Sequence, residues 1–103
     1  MNLAANRATD DAARRQADES APASVVLLLF AEARLVAGTG REDVRGRNVG
    51  DVLEGARSRH GERFGAVLGA SRVWVNGEPA AADRVLRDGD EVAVLPPVSG
   101  GAR

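Results

Sequence analysis

The unbroken apolar run Val25-Val26-Leu27-Leu28-Leu29-Phe30 leaves this chain few architectures. Its short length, β-branched start and aromatic end favour a strand buried on both faces over a helical segment. Such a strand sits centrally in a sheet, so the rest of the chain has to supply neighbours on either side. After it, Ala31 to Val36 fits one or two helical turns before the Gly38-Thr39-Gly40 break, and Arg41 to Arg45 fits a short exposed edge strand. A helix is predicted from Asn48, a good N-cap residue with Asp51 three positions later, the two approximating a capping box. Val49, Val52, Leu53 and Ala56 fall on one buried stripe of that helix, Gly61 is expected to end it as a left-handed cap, and Phe64, Val67 and Leu68 carry a further turn.

The second half of the chain reads as strands. Arg72 to Val75 precedes Asn76-Gly77, the pair that best tolerates the positive φ angles of a tight hairpin. Pro79 confines the next strand to an edge, Asp88-Gly89 makes another turn, and Glu91 to Leu95 forms a last apolar strand stopped by Pro96-Pro97. The order strand, strand, helix, strand, short strand, strand implies an α+β fold, a mixed sheet with one main helix on one face. Alternation assigns Leu27, Leu29, Val73, Val75, Val92 and Val94 to the covered face. Leu28, Phe30, Trp74, Ala93 and Leu95 are left on the other, an apolar collection that suits a binding surface better than solvent.

Composition removes several function classes. With 103 residues there is room for one domain, and 14 basic against 15 acidic residues give no field suited to nucleic acid or an anionic membrane. Every basic residue is arginine, so no lysine amine is available for a Schiff base or as an isopeptide acceptor. There is no cysteine, hence no disulfide framework, thiolate metal site or cysteine nucleophile. The apolar run is far shorter than the roughly 20 residues that cross a bilayer, and a cytoplasmic location is the default expectation. Residues 1–24, rich in Ala, Arg, Asp and Ser, are read as a disordered arm, with a short helix through Asp10 to Asp18 as the alternative. Residues 25–95 form the domain, and 96–103 a flexible tail.

Within that frame, Leu29-Phe30-Ala31 followed by Arg34, then Val75-Asn76, Leu86-Arg87-Asp88-Gly89-Asp90-Glu91-Val92 and above all Pro96-Pro97-Val98-Ser99-Gly100-Gly101 form a recognisable set. From Val25 to Gly101 the chain resembles the small subunit of molybdopterin synthase, within the wider family of ubiquitin-like sulfur carriers. The resemblance implies a β-grasp fold and no bound cofactor. It implies that a ubiquitin-activating-like adenylase uses ATP to turn the Gly101 carboxylate into an acyl-adenylate, which a sulfur donor converts to a thiocarboxylate. The synthase large subunit then consumes the sulfur for molybdopterin. Phe30, Pro79 and Leu95 fall where this family docks on its partners, and Trp74 shares their face. Ala102-Arg103 departs from the family ending and implies either a processing peptidase or a copy that has lost the carrier role and keeps only its docking surface.

The tail chemistry also follows from its residues. Glycine has no Cβ, so Gly100-Gly101 passes through a narrow channel closed to bulkier residues. Pro97, Val98, Ser99 and Gly100 are assigned to threading, and at ~3.3 to 3.6 Å per residue the stretch from Leu95 to Gly101 reaches roughly 20 Å. Competing readings remain for single residues: Arg34 as a local ion pair or a partner contact, His60 as a solvated or capping side chain rather than a ligand, and Asp88, Asp90 and Glu91 as turn acids rather than a metal site. The functional alternatives are a carrier for thiazole or cysteine synthesis, a protein-modifying tag, and a non-covalent β-grasp binding module. No residue set resembles a self-contained active site.

Overall fold

The computed structural model describes residues 21–97, so most of the expected arm, and the tail from Val98 to Arg103, lie outside the described residues. The elements are β1 (Ala23–Leu29), α1 (Ala31–Ala37), β2 (Arg41–Gly46), α2 (Val49–His60), α3 (Glu62–Gly69), β3 (Arg72–Val75), β4 (Glu78–Pro79) and β5 (Glu91–Leu95). They build one sheet in the order β2-β1-β5-β3-β4. The central pair β1 and β5 is parallel, and every other neighbouring pair is antiparallel. This is the α+β, β-grasp arrangement expected from the sequence.

The core forms where one sheet face meets the helices. Val25, Leu27, Leu29, Val75, Val92 and Val94 pack with Ala33 of α1, Val49, Val52 and Ala56 of α2, and Phe64 of α3. At roughly 25 cal/mol per Å² of apolar area, burying side chains of this size contributes about 1.5 to 3 kcal/mol each. Three helices cover the face rather than one, because the turn expected around Phe64 is a full helix whose aromatic ring is completely buried. β1 is central, as expected, but only one of its faces is covered: Val26 and Leu28 remain half-buried while their neighbours are sealed. Its central place comes from backbone pairing on both sides, which an apolar run alone does not distinguish from burial on both faces. The strand also starts at Ala23, paired with Gly46, so the ordered fold takes in two residues assigned to the arm.

Local chemistry fixes the helix ends. Asn48 Oδ1 accepts the Asp51 N–H at 2.8 Å, whereas Asp51 Oδ2 accepts from Arg47 N at 3.1 Å, one residue before the position of a regular capping box. The β4–β5 connection satisfies two more unpaired donors of the first turn: Val49 N donates to Arg84 O and Gly50 N to Ala82 O. Gly61 has φ 93° and ψ −175°, which is not the left-handed helical cap expected of it. Its N–H closes α2 on Arg57 O while its carbonyl opens α3 by accepting from Gly65 N, so a single residue ends one helix and begins the next.

Polar side chains tie the start of β5 into the sheet. Asn76 and Gly77 have φ 51° and 84°, the paired positive angles expected of the hairpin. From that turn Asn76 Nδ2 donates to Asp90 Oδ1, and Asn76 Oδ1 accepts from Glu91 N, both at 2.9 Å. Asp90 Oδ2 accepts from Arg87 N and Asp88 Oδ1 from Ser24 N. Asp88 and Asp90 are therefore spent on two backbone donors and the Asn76 amide.

Gly46, at the end of β2, sits where the strand passes under α2. A Cβ there would lie 2.6 Å from Val52 Cγ2 and 3.1 Å from Val52 N. Val52 is buried and β-branched, so it has no open rotamer to retreat into. Gly46→Ala is expected to destabilise the domain by about 1 to 3 kcal/mol, read as a lower urea midpoint with unchanged slope.

Candidate functional site

The uncovered sheet face carries one apolar row across all five strands. Arg41 of β2 pairs with Leu28, Leu28 with Ala93, Ala93 with Trp74, and Trp74 with Pro79. Cross-strand partners share a face, so Leu28, Ala93, Trp74 and Pro79 form a stripe that starts at Arg41. The next row toward the C-terminal end of β5 contains Leu95 and its partner Arg72. Phe30 follows the last residue of β1 and is 44% exposed. Toward the opposite end the row is Asp43, Val26 and Glu91, so the stripe is cationic near the tail exit and acidic away from it.

The structure thus brings Phe30, Trp74, Pro79 and Leu95 onto one face, with Trp74 and Leu95 half-buried and Pro79 exposed. Val73 lies opposite, half-buried against the core. Pro96 is buried and Pro97 exposed, which makes Pro96 the anchor from which the chain leaves the sheet. Val98, Ser99, Gly100 and Gly101 lie outside the described residues. Arg34 is exposed with its guanidinium stem against Gly40, and no ion pair among the described residues involves it.

Two features near this exit were not read from the sequence. Leu35, on α1, is 76% exposed. Its exposure follows from helical spacing, since Ala33 is buried and Val36 and Ala37 complete the inward face. Ala31 has φ 50°, a left-handed backbone that costs a residue bearing a Cβ of order 1 kcal/mol. It turns the chain directly after Phe30, whose carbonyl accepts from Ala33 N and Arg34 N and so starts α1. No sequence signal marks alanine for that angle.

The covered side holds one titratable cluster. Glu42 of β2 accepts from Arg59 Nη2 at 2.8 Å, and its second oxygen lies 2.8 Å from His60 Nε2. His60 is neither the solvated nor the capping side chain expected: it is 14% exposed, paired with Glu42, and its ring lies 5.0 Å from that of Phe64. The strand crossing beneath the end of α2 supplies the carboxylate that encloses it. Burial raises the Glu42 pKa, but the hydrogen bond and charge of Arg59, joined by His60, outweigh burial and hold it below the ordinary value of 4.5. The cluster clamps β2 to α2 and faces away from the apolar stripe, since Glu42 pairs with the buried Leu27.

Comparison with known proteins follows this geometry. The model described as the ThiS family matches residues 27–101. The chain is 41% identical over 83 residues to small archaeal modifier protein 1 of Haloferax volcanii, covering 71% of this chain and 95% of that protein. The solution structure of small archaeal modifier protein 1 from Methanosarcina acetivorans has a TM-score of 0.70 at 30% identity, covering 78% of this chain and 98% of that one. A protein of Pyrococcus furiosus described as subunit 1 of a molybdopterin converting factor has a TM-score of 0.66 at 32% identity, covering 74% and 99%.

Two expectations come from this site. Phe30→Asp places a charge in the apolar stripe at a position already 44% exposed, so folding is retained while affinity for a partner seated there falls at least tenfold. Titration of the variant against the molybdopterin synthase large subunit and the adenylase measures this, and unchanged affinities for both would assign docking elsewhere. Glu42→Gln removes a carboxylate whose stabilisation is present above its ordinary pKa and is lost as pH falls through the lowered folded value. The variant is expected to be less stable than the parent by about 1 kcal/mol at about pH 7, with the difference shrinking as pH falls below 4.5 and through the lowered folded value of Glu42. Urea midpoints across that range measure it.

Proposed function

The chain belongs to the ThiS family, and from that membership we propose that its working group is the Gly101 carboxylate, carried as an activated acyl group and charged with sulfur for molybdopterin synthesis. The observation that carries this reading is the end of the family match: it stops at Gly101, on the diglycine, while the chain continues through Ala102-Arg103. A carboxylate oxygen of Gly101 attacks the α-phosphate of ATP on the adenylase and pyrophosphate departs. The sulfur donor then displaces AMP, leaving a thiocarboxylate. Carrying the group on the chain's end makes the protein a regenerated donor comparable to a cofactor.

Each part of the chain has a task in this scheme. Phe30, Trp74, Pro79 and Leu95 seat the domain on the adenylase and on the synthase large subunit in turn. Pro97 directs the tail outward, Val98 and Ser99 follow it, and Gly100-Gly101 enter the catalytic channel. The domain stays outside while the acyl carbon reaches roughly 20 Å from Leu95.

A second reading has an observation of its own. The 41% identity to small archaeal modifier protein 1 favours a protein-modifying tag, in which the same activated carboxyl passes to an amine of another protein. The two share every step up to activation and differ only in acceptor.

Both readings require a free carboxylate at Gly101. With Ala102 attached, the Gly101 carboxyl is a peptide carbonyl and has no free oxygen with which to attack ATP. A peptidase is therefore expected to remove Ala102-Arg103. The full chain and one stopped after Gly101 are each incubated with adenylase, ATP and sulfur donor and weighed intact. A gain of about 16 Da, sulfur for oxygen, is expected only on species ending at Gly101. Equal charging of the Arg103-terminated chain without cleavage overturns the processing step, and no charging of either form overturns the carrier reading.

A further inference from the structure

Resting on the reading of Gly101 as an activated acyl group, we infer that the domain is inert toward its own acyl end. It keeps cationic charge beside the tail exit as guanidinium and its nearby hydroxyls engaged, so that acyl transfer to its own side chains does not compete with delivery to a partner.

The hazard is chemical. An unprotonated amine attacks the Gly101 carbonyl carbon, a C–N bond forms, the C–O bond to AMP breaks, AMP leaves with the electron pair and the ammonium proton passes to solvent. Any lysine beside the tail is a candidate for that reaction. The cation nearest the exit is Arg72, the cross-strand partner of Leu95, which is six positions before Gly101. With roughly 20 Å of tail, the acyl carbon and the side chain at position 72 come within range in one molecule or between two. A guanidinium remains protonated and its nitrogen lone pairs are delocalised, so Arg72 supplies charge without a nucleophile. Arg41, at the head of the apolar row, does the same from β2.

Among the described residues, the hydroxyls that flank Arg72 and Arg41 are engaged. Ser71, preceding Arg72, donates its hydroxyl proton to Val67 O at 2.7 Å. Thr39, in the turn before Arg41, donates to Arg41 O at 3.0 Å. Neither hydroxyl hydrogen is aimed at a base that would activate the oxygen. His60, the one imidazole, is enclosed by Glu42 and Phe64. As a sulfur carrier, such a domain loses no charged species to amides on its own side chains. As a modifier, it is attached singly, because it presents no side-chain amine on which a second copy is built.

The test bypasses the adenylase, so it reads independently of whether Gly101 is adenylated. Chain 1–101 and its Arg72→Lys variant are each prepared as a C-terminal alkyl thioester, checked for Trp74 fluorescence of the folded state, and incubated at about pH 8. Peptide mapping by mass locates new amides. The variant is expected to gain an amide at position 72, with loss of the thiol, at least about tenfold faster than any side-chain conjugate forms on the parent. Side-chain acylation of the parent at a comparable rate overturns the inference. So does a variant that stays unconjugated while its thioester reacts normally with added free lysine.

Discussion

The parallel pairing of β1 with β5 is the constraint on which the rest of the structure depends. Two parallel neighbours cannot be joined by a hairpin, so everything between Leu29 and Glu91 is in effect one long crossover: three helices and three further strands. That crossover covers one face and borders the pair with β2 on one side and β3 on the other. Leu27 and Leu29 meet Val92 and Val94 in register, all of them buried, so a slip of one residue would turn that set out of the core. The pairing also decides where the tail begins. Both central strands point the same way, so the tail leaves the middle of the sheet at Pro96, beside Phe30. A strand held on both sides gives the chain leaving it a rigid base, and an edge strand would not.

Register at the start of β5 depends on the polar clasp at the other end of the strand. Asp88 holds the N–H of Ser24 at the start of β1, and Asp90 links Arg87 to the Asn76 turn, so the two central strands begin from one hydrogen-bonded knot. Hydrogen bonds to a charged acceptor are each worth about 1.5 to 3 kcal/mol, less where solvent competes. Most of the motif by which the chain resembles its relatives, Asn76 and Leu86 to Val92, is therefore architecture. The chemistry proposed for the chain sits in the diglycine. A chain can keep the whole central motif and remain a sound β-grasp domain with no carrier function, which is why Gly100-Gly101 carries more functional weight than the longer matching stretch before it.

The parts of the fold legible in the sequence are those set by local chemistry. Asn76-Gly77 forms its hairpin because few other pairs accept both angles, Asn48 caps α2, and Pro79 ends its strand at an edge. The burial alternation of β5 was equally readable, because the polar Glu91 sets its phase. In β1 every residue from Val25 to Phe30 is apolar, so composition gives no phase and burial on both faces is indistinguishable from burial on one. Contacts between distant segments left no such signal. His60 is enclosed by Glu42, 18 positions away, Gly46 is obligatory because Val52 passes over it, and Gly61 serves two helices at once. At the candidate site the shared face of Phe30, Trp74 and Leu95 followed from counting alternate residues. Pro79 was named from the resemblance, its place on that face is set by the pairing with Trp74, and the angle at Ala31 had no sequence cue.

The site divides labour in a way that bears on specificity. The described domain offers an apolar stripe, flanking rows of opposite charge on either side of it, and an anchored exit for the tail; among the described residues no group selects between sulfur and amine as the acyl acceptor. Under the proposed carrier reading, that choice falls to the partner seated on the stripe. Similarity to a modifier protein and to a converting-factor subunit is consistent with one scaffold whose docking surface, rather than its reactive end, separates the two outcomes. Specificity then resides in differences of affinity across the face. Leu35 gains meaning in this light. It stands 76% exposed on α1, near Phe30 and the tail exit but outside the stripe, where folding gives no reason for a large apolar side chain. The central row of the stripe also contributes to the sheet through its cross-strand pairs, so it is less free to vary. A side chain that folding leaves unconstrained is the cheapest place for a chain to distinguish partners that otherwise read the same face.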